Sequence, residues 1–177
     1  MNQPSTFDYA RKRIVQGARG LNPRRAGAHV DRSVLDYLTP AQRERFAQLS
    51  AFDQQHLCRV ANHLRTHGVS DPDVIVAGLL HDIGKSDGEH RVHLGDRVGK
   101  VLLKRFAPGM LHRAAEQYPE GRFPGLALTV RHPEIGADVA RSLGCSERTC
   151  WLIEYHEAET DLGDPDLARL QAADFAS

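Results

Sequence analysis

The sequence predicts an all-α protein with one folded domain. Apolar residues recur every three or four positions along most of the 177-residue chain, which is the spacing of a helix face. No apolar run alternates with period two over the length of a strand, so no sheet is expected. A chain of this length can bury a sizeable core in one domain but is short for two. We assign residues 1–33 to a polar N-terminal arm and residues 34–177 to a single helical domain.

Composition and charge narrow the classes of function. Lys plus Arg and Asp plus Glu both number 23, so the zero net charge indicates neither a nucleic-acid nor a membrane partner. No apolar run approaches the ~18 residues of a transmembrane helix, and the polar start at Met1 does not resemble a signal peptide. The three cysteines lack CxxC spacing and are typical of a reducing compartment. The composition predicts a soluble, cytoplasmic protein.

Capping residues, prolines and glycines mark the boundaries of the predicted helices. The arm carries Pro, Gly and several basic residues, with one short helix predicted over residues 7–15. The other predicted helices cover residues 41–49, 51–67, 74–83, 91–106, 110–118, 134–143 and 147–158, with a last helix from residue 165.

Three of these boundaries depend on a single glycine or proline. Gly84 is expected to stop the central helix, because glycine is frequent just past a helix end. Pro108 is expected to break the chain between two helices. Pro133 is expected to begin a new helix after a separate apolar run at 126–131, since proline is favoured at the first helical position.

The central helix ends in an unusual sequence. Its apolar run leads directly into the adjacent pair His81-Asp82, followed by Ile, Gly and Lys85. A buried helix that carries an imidazole and a carboxylate at its end needs partners for both groups, or a metal ion. His-Asp pairs are common, so the meaning of this one depends on other potential ligands along the chain.

Other potential ligands do lie in or beside apolar helical segments. Together with the central pair they are His56, His81, Asp82, His132, His156 and Asp174. These are nitrogen and oxygen ligands without a thiolate, a set that suits Fe, Mn, Co, Ni or Mg better than a structural zinc. The short carboxylate of Asp82 could bridge two ions. Two ions ~3.5–4 Å apart are the usual arrangement for hydrolysis of phosphate esters.

Five segments resemble the HD-domain metal-dependent phosphohydrolases, of the HDIG type with a dinuclear centre. They are Gln55-His56-Leu57-Cys58-Arg59-Val60-Ala61, Leu79-Leu80-His81-Asp82-Ile83-Gly84-Lys85, His132-Pro133-Glu134-Ile135-Gly136-Ala137, Tyr155-His156-Glu157 and Ala172-Ala173-Asp174. The resemblance covers roughly residues 48–175 and implies an HD-type helical bundle with the metal centre between helices. The Gly-Tyr-Pro extension of cyclic-di-GMP phosphodiesterases is missing after His156-Glu157, which argues against that substrate.

The resemblance also implies a role for each ligand-type residue. A first divalent ion, most simply Fe or Mn, would be held by four side chains and a second ion by Asp82 with two more. The ligands of the first ion would be His56, His81, Asp82 and Asp174. The ligands of the second ion would be Asp82, His132 and His156. Asp82 and Lys85 would be the catalytic residues, and Lys85 with Arg131 would face the substrate phosphate. The implied activity is hydrolysis of a nucleotide or related small phosphate by a metal-activated water.

Two other classes of function stay open at this point. Some proteins of this fold use the same six ligands in a mixed-valence di-iron oxygenase, and others bind a nucleotide or a partner without catalysis. Four further histidines, His63, His67, His90 and His93, have no assigned role. His63 and His67 have a spacing that can bind metal but lie near a helix end, where histidine more often interacts with the helix dipole. The sequence fixes neither the oligomeric state nor the role of the arm.

Overall fold

The structure is a computed structural model that describes residues 30–177. The helix predicted over residues 7–15, and most of the predicted arm, lie outside the described residues. Within the described residues the α-helices are α1 (Pro40–Ala47), α2 (Ala51–Thr66), α3 (Pro72–Leu80), α4 (Leu94–Phe106), α5 (Pro108–Glu116), α6 (Pro124–Ser142), α7 (Glu147–Tyr155) and α8 (Pro165–Ala176). Two short 3-10 helices cover Ser33–Tyr37 and Ile83–Lys85.

The all-α prediction is confirmed. Residues 30–177 contain no strand, and the one β-type pairing among them is an isolated bridge between Ser86 and Arg91. None of the described helices is both long and apolar enough to cross a membrane.

The described residues form two compact units, and helix α6 contributes to both. One unit comprises residues 92–129, and the other comprises residues 30–91 together with 130–177. In the first, α4 packs against α5, whose Leu111 and Ala115 are buried. Helix α4 itself has no fully buried residue. The assignment of residues 34–177 to a single domain stays a prediction.

Helix α3 is the centre of the second unit. All of its residues from Val74 to Leu80 are buried, and it packs against α2, α7 and α8. A helix that is apolar on every side is stable only when neighbours surround it, which these three helices do. The core around it includes Leu57, Leu64, Leu152, Ile153 and Leu170. The end of α3, where His81 and Asp82 follow, is therefore held at a fixed place.

Five of the predicted helix starts are confirmed by their caps. Thr39 forms a capping box with Gln42, and the Ser50 and Ser146 hydroxyls accept hydrogen bonds from backbone N–H groups of the first turn. Asp71 and Asp164 do the same for α3 and α8, each followed by a proline at the first helical position.

Of the three boundaries predicted from a single glycine or proline, the break at Pro108 is confirmed and the other two are wrong. Helix α3 ends at Leu80, before the His-Asp pair, and Gly84 lies inside the following 3-10 turn. Helix α4 ends at Phe106, and Pro108 begins α5, because the missing N–H of proline is not needed in a first turn. Pro133 lies inside the continuous helix α6 instead of starting a new one.

Candidate metal centre

The His81-Asp82 pair sits at the junction between α3 and the 3-10 turn. His81 is the C-cap of α3, and Asp82 immediately precedes the turn Ile83–Lys85. Both side chains are buried, with 1% and 3% of each residue exposed. The Nδ1 atom of His81 lies 3.1 Å from the carbonyl oxygen of Gly78, so Nδ1–H donates there and Nε2 carries the lone pair.

A close contact between two backbone segments places His132 beside this turn. A Cβ atom on Gly84 would lie 2.6 Å from the backbone nitrogen of Gly136 and closer still to the carbonyl oxygen of His132. Real Cβ atoms do not approach backbone atoms so closely, so only glycine fits at this position. The contact explains Gly84 better than the helix stop expected from the sequence.

The first ligand group lies between α2, the end of α3 and α8. The Nε2 atom of His56 is 3.0 Å from Oδ1 of Asp174, and Nε2 of His81 is 3.7 Å from the same oxygen. His81 Nε2 is also 3.7 Å from Oδ2 of Asp82. The ligand atoms of His56, His81 and Asp82 all lie within 4.8 Å of one another, a spacing at which one metal ion could be held.

The second ligand group lies between the end of α3, α6 and the end of α7. Oδ1 of Asp82 is 3.5 Å from Nε2 of His132 and 3.8 Å from Nε2 of His156. These three atoms also lie within 4.8 Å of one another, and all three residues are buried. The structure thus brings together all six ligand-type residues predicted from the sequence.

Asp82 belongs to both groups through different oxygen atoms. Its Oδ2 faces His81, while its Oδ1 faces His132 and His156. A carboxylate in this position can bridge two cations, each bound to one oxygen.

The nitrogen atoms of the cluster fit metal ligation. His156 donates Nδ1–H to the carbonyl oxygen of Ile153 at 2.6 Å, as His81 does to Gly78, so both rings present an Nε2 lone pair. These two Nε2 atoms are buried and have no hydrogen-bond partner among the described residues. A buried acceptor without a donor is costly, and a metal ion removes that cost.

The electrostatics of the cluster favour the neutral, metal-binding form of three of its four histidines. Burial, together with the neighbouring His81 and His132, lowers the pKa of His156 to about 3, so its ring is neutral near pH 7. Burial likewise lowers the pKa of His56 and of His132.

The two residues of the central pair are shifted by their charged neighbours. Burial alone would raise the pKa of Asp82, but Lys85 and His81 outweigh it and hold that pKa well below its usual range. Burial disfavours the charged form of His81, yet the carboxylates of Asp82 and Asp174 prevail and raise its pKa. Asp82 is therefore ionised under ordinary conditions.

Lys85 is the cation nearest the bridge position. Its ammonium group is ion-paired with Oδ2 of Asp82 and is largely covered, with 14% of the side chain exposed. The loop after it is tied down by Arg45, whose guanidinium donates to the carbonyl oxygens of Ile83 and Ser86.

Arg131, which was expected to face the substrate phosphate, is paired with a carboxylate of its own helix. Arg131 donates two hydrogen bonds to the Glu134 carboxylate, at 2.9 and 3.1 Å, on the surface of its own helix. Its contact with substrate phosphate stays a prediction.

One acidic residue near the cluster was not singled out from the sequence. Oε1 of Glu157 lies 3.8 Å from Nε2 of His132, and 26% of its side chain is exposed. The one signal that could have found it is its position directly after His156, which is too common a pairing to be informative.

The four unassigned histidines have local contacts of their own. His67 is the C-cap residue of α2, and its Nδ1 lies 2.8 Å from the carbonyl oxygen of His63. The rings of His63 and His67 stack with their centroids 4.0 Å apart. His90 pairs with Asp87 at 3.3 Å, and His93 is the N-cap residue of α4. None of the four belongs to a potential metal-binding group among residues 30–177.

Comparison with known families agrees with this geometry. The HD domain family matches residues 54–176, which is more than half of the chain and includes all six ligand-type residues. Comparisons with curated proteins and with solved structures gave no significant match. HD domains bind divalent metal ions, and the two ligand groups are where this chain could hold them. The chain therefore belongs to the HD-domain superfamily of metal-dependent phosphohydrolases.

Proposed function

We propose that this protein hydrolyses a phosphate ester of a nucleotide or a related small molecule, using two divalent metal ions. The observation that carries the proposal is the position of Asp82. Its two oxygens face the two ligand groups, one oxygen to each group, and each group has its own histidines. Such a shared carboxylate is the feature expected of a two-metal hydrolase.

The donor set favours Fe or Mn as the resident ions, with Mg, Co or Ni as further candidates. Four imidazoles and two carboxylates are ligands of intermediate hardness, and none of the three cysteines belongs to either group. When bound, such ions lower the pKa of water towards ~7 and offset the charge on the phosphoryl oxygens.

The side chains of this protein contribute fixed charges and lone pairs. Asp82 stays ionised because its pKa is low, so it can hold cations without first losing a proton. His156 stays neutral because its pKa is about 3, so its Nε2 lone pair needs no deprotonation step near pH 7. Their hydrogen bonds to backbone carbonyls keep the rings of His81 and His156 in one orientation.

Lys85 supplies the cation that a phosphate substrate needs. Its ammonium group is ion-paired with Asp82 and largely shielded from solvent, and a partly desolvated cation attracts an anion more strongly than an exposed one. A phosphate that reaches the two ions would meet Lys85 on the Oδ2 side of Asp82. This arrangement favours anionic substrates over neutral ones.

The proposal is tested by loading the purified protein with Mn or Fe after chelation and assaying hydrolysis. Aryl phosphate monoesters, aryl phosphate diesters and a panel of nucleotides separate phosphomonoesterase from phosphodiesterase activity. Absence of hydrolysis with every metal, in protein that is folded by circular dichroism, contradicts the proposal. Oxygen consumption by the iron-loaded protein would then favour the oxygenase, and thermal shifts with nucleotides a binding module.

Replacement of Asp82 by alanine is the most direct variant. We expect Asp82→Ala to lower metal content to below one ion per chain and to reduce hydrolysis by more than about 100-fold, because both ions lose a shared ligand. Metal analysis and the hydrolysis assay measure the two effects. Asp36→Ala is the matched control, since its side chain is 79% exposed and outside both ligand groups. Activity that survives in Asp82→Ala would exclude the proposed site.

A further inference from the structure

The two ligand groups differ in their number of carboxylates. The first contains Asp82 and Asp174, whereas the second contains Asp82 alone with two neutral histidines. Two of the three ligand atoms of the second group come from rings without charge. The positive charge of an ion held there would therefore be balanced by fewer carboxylates than the charge of the other ion, unless another carboxylate contributes.

Glu157 is close enough to be that carboxylate. Its Oε1 lies 3.8 Å from Nε2 of His132, the same as the distance from Nε2 of His156 to Oδ1 of Asp82. Ligand atoms that share one ion at ~2.0–2.2 Å lie about 3–4 Å from each other. The spacing between Glu157 and His132 falls within that interval.

The location of Glu157 in the chain adds to this argument. It directly follows His156, the C-cap of α7, so the helix end that positions one ligand also limits where Glu157 can go. About three quarters of its side chain is covered, with 26% exposed. Bringing a carboxylate this close to a buried histidine costs desolvation energy, which a cation between them offsets.

We propose that Glu157 is the fourth protein ligand of the second metal ion. Each ion would then face two carboxylates, one of them the shared Asp82. This inference rests on the two-ion centre of the proposed function, and it assigns a role to a residue that neither the sequence pattern nor the family match singles out.

The test is a metal titration of the chelated, full-length protein with Mn²⁺ alone. We expect the wild type to bind two ions, and Glu157→Gln to bind the first ion unchanged but the second at least about 10-fold more weakly. Electron paramagnetic resonance gives an independent readout. At a Mn²⁺ concentration that fills both sites of the wild type, its spin-coupled signal should be replaced in Glu157→Gln by the signal of an isolated ion.

Glu154→Gln is the matched control. Glu154 lies one helical turn earlier, in α7, is exposed, and loses the same charge. Equal weakening in Glu154→Gln would show that charge alone matters and would overturn the assignment. Unchanged affinity for the second ion in Glu157→Gln would also overturn the assignment. Binding of a single ion by the wild type would overturn it as well.

The assignment and the proposed function can fail separately. If Glu157→Gln loses the second ion as expected while the wild type hydrolyses no phosphate ester, the ligand assignment stands and the phosphohydrolase proposal falls. If the wild type is an active hydrolase and Glu157→Gln keeps both ions, the reverse holds.

Discussion

The carboxylate of Asp82 combines deep burial with an ionised state, which costs free energy unless opposite charges are close. In this protein Lys85 and His81 lie beside its Oδ2 atom, and His132 and His156 lie beside its Oδ1 atom. The net effect is a pKa well below the usual range of an aspartate. A site arranged in this way attracts cations without a competing proton.

Gly84 determines how closely two parts of the centre approach each other. The turn that carries Lys85 packs its backbone directly on α6, at His132 and Gly136. Both contacts are made by backbone atoms, which cannot rotate away as a side chain can. Any side chain at position 84 would therefore push His132 away from Asp82.

We expect Gly84→Ala to destabilise the protein by about 2–3 kcal/mol, because its Cβ would overlap backbone atoms of α6. Urea unfolding followed by circular dichroism measures the change. Gly95→Ala is the matched control: a Cβ at Gly95 has no atom within 4 Å. It should be neutral or stabilise by up to about 1 kcal/mol, since alanine is the better helix former. Equal stability of Gly84→Ala and wild type would contradict the close backbone contact.

At the scale of single residues, the sequence was most informative where the chemistry of a side chain restricts its use. Buried histidines and aspartates need partners, so His56, His81 and Asp174 could be singled out from their positions in apolar helices. The resemblance to HD-domain proteins then implied that they share one centre. The role of Gly84 could not be predicted, because it depends on α6, about 50 positions later in the chain. Glu157 could not be singled out either, since an exposed and a ligating glutamate are identical in sequence.

Helix α8 is fixed at its start by contacts that do not involve the ligands of the metal centre. It carries Asp174 near its end, and its start is fixed by Asp164, whose carboxylate accepts hydrogen bonds from the backbone N–H groups of Asp166 and Leu167. Arg148 on α7 donates to the same carboxylate through both terminal nitrogens, each at 2.8 Å. The cap and the ion pair together fix the start of α8 against α7.

We expect Asp164→Ala to lower the free energy of unfolding by about 1–2 kcal/mol at pH 7, from loss of the cap and of a partly exposed ion pair. Asp164→Asn keeps a capping oxygen and should cost less than about 1 kcal/mol. Urea unfolding of the chelated protein measures both. Asp138→Ala, which removes an aspartate with a 74% exposed side chain from a pair with Arg141, should change stability by less than about 0.5 kcal/mol.

The same residue predicts a pH dependence. Hydrogen bonds from Arg148 lower the pKa of Asp164 from its ordinary 3.8 to about 2. Because the folded state has the lower pKa, the stabilisation is complete above pH 4 and is lost as the pH falls from about 4 to about 2. The difference between wild type and Asp164→Asn should therefore shrink over that interval in urea unfolding series. A constant difference down to pH 2 would show that the ion pair does not stabilise the fold.

For the helices, several start positions could be predicted from the sequence. Whether a helix continues through a proline could not. A cap such as Ser50 or Asp164 acts through its immediate neighbours, so a local pattern suffices. Pro133 is different, because proline is compatible both with a first turn and, at a cost of ~3 kcal/mol, with a helix interior. Here α6 continues through it, with Ala127 and Leu128 buried before the proline and Ala137 and Ala140 buried after it. That burial is a tertiary property, which the local sequence does not contain.

Across the molecule, the candidate centre joins segments that are far apart in the chain. Its ligands come from α2, the end of α3, α6, the end of α7, and α8. An unfolded chain does not hold these side chains at the distances seen here. Metal binding should therefore favour the folded state over the unfolded state.

We expect chelation to lower the melting temperature of the wild type, and Mn²⁺ to restore it. An ion at 100 times its dissociation constant stabilises a folded protein by about 2.7 kcal/mol if the unfolded chain does not bind it. For a protein of this size, that corresponds to a shift of roughly 5–10 °C in differential scanning calorimetry. Asp82→Ala should show a much smaller shift, because both ligand groups lose their shared carboxylate. Equal melting temperatures of the chelated and Mn²⁺-loaded wild type would mean that the ligands, although close together, do not hold an ion in the folded protein.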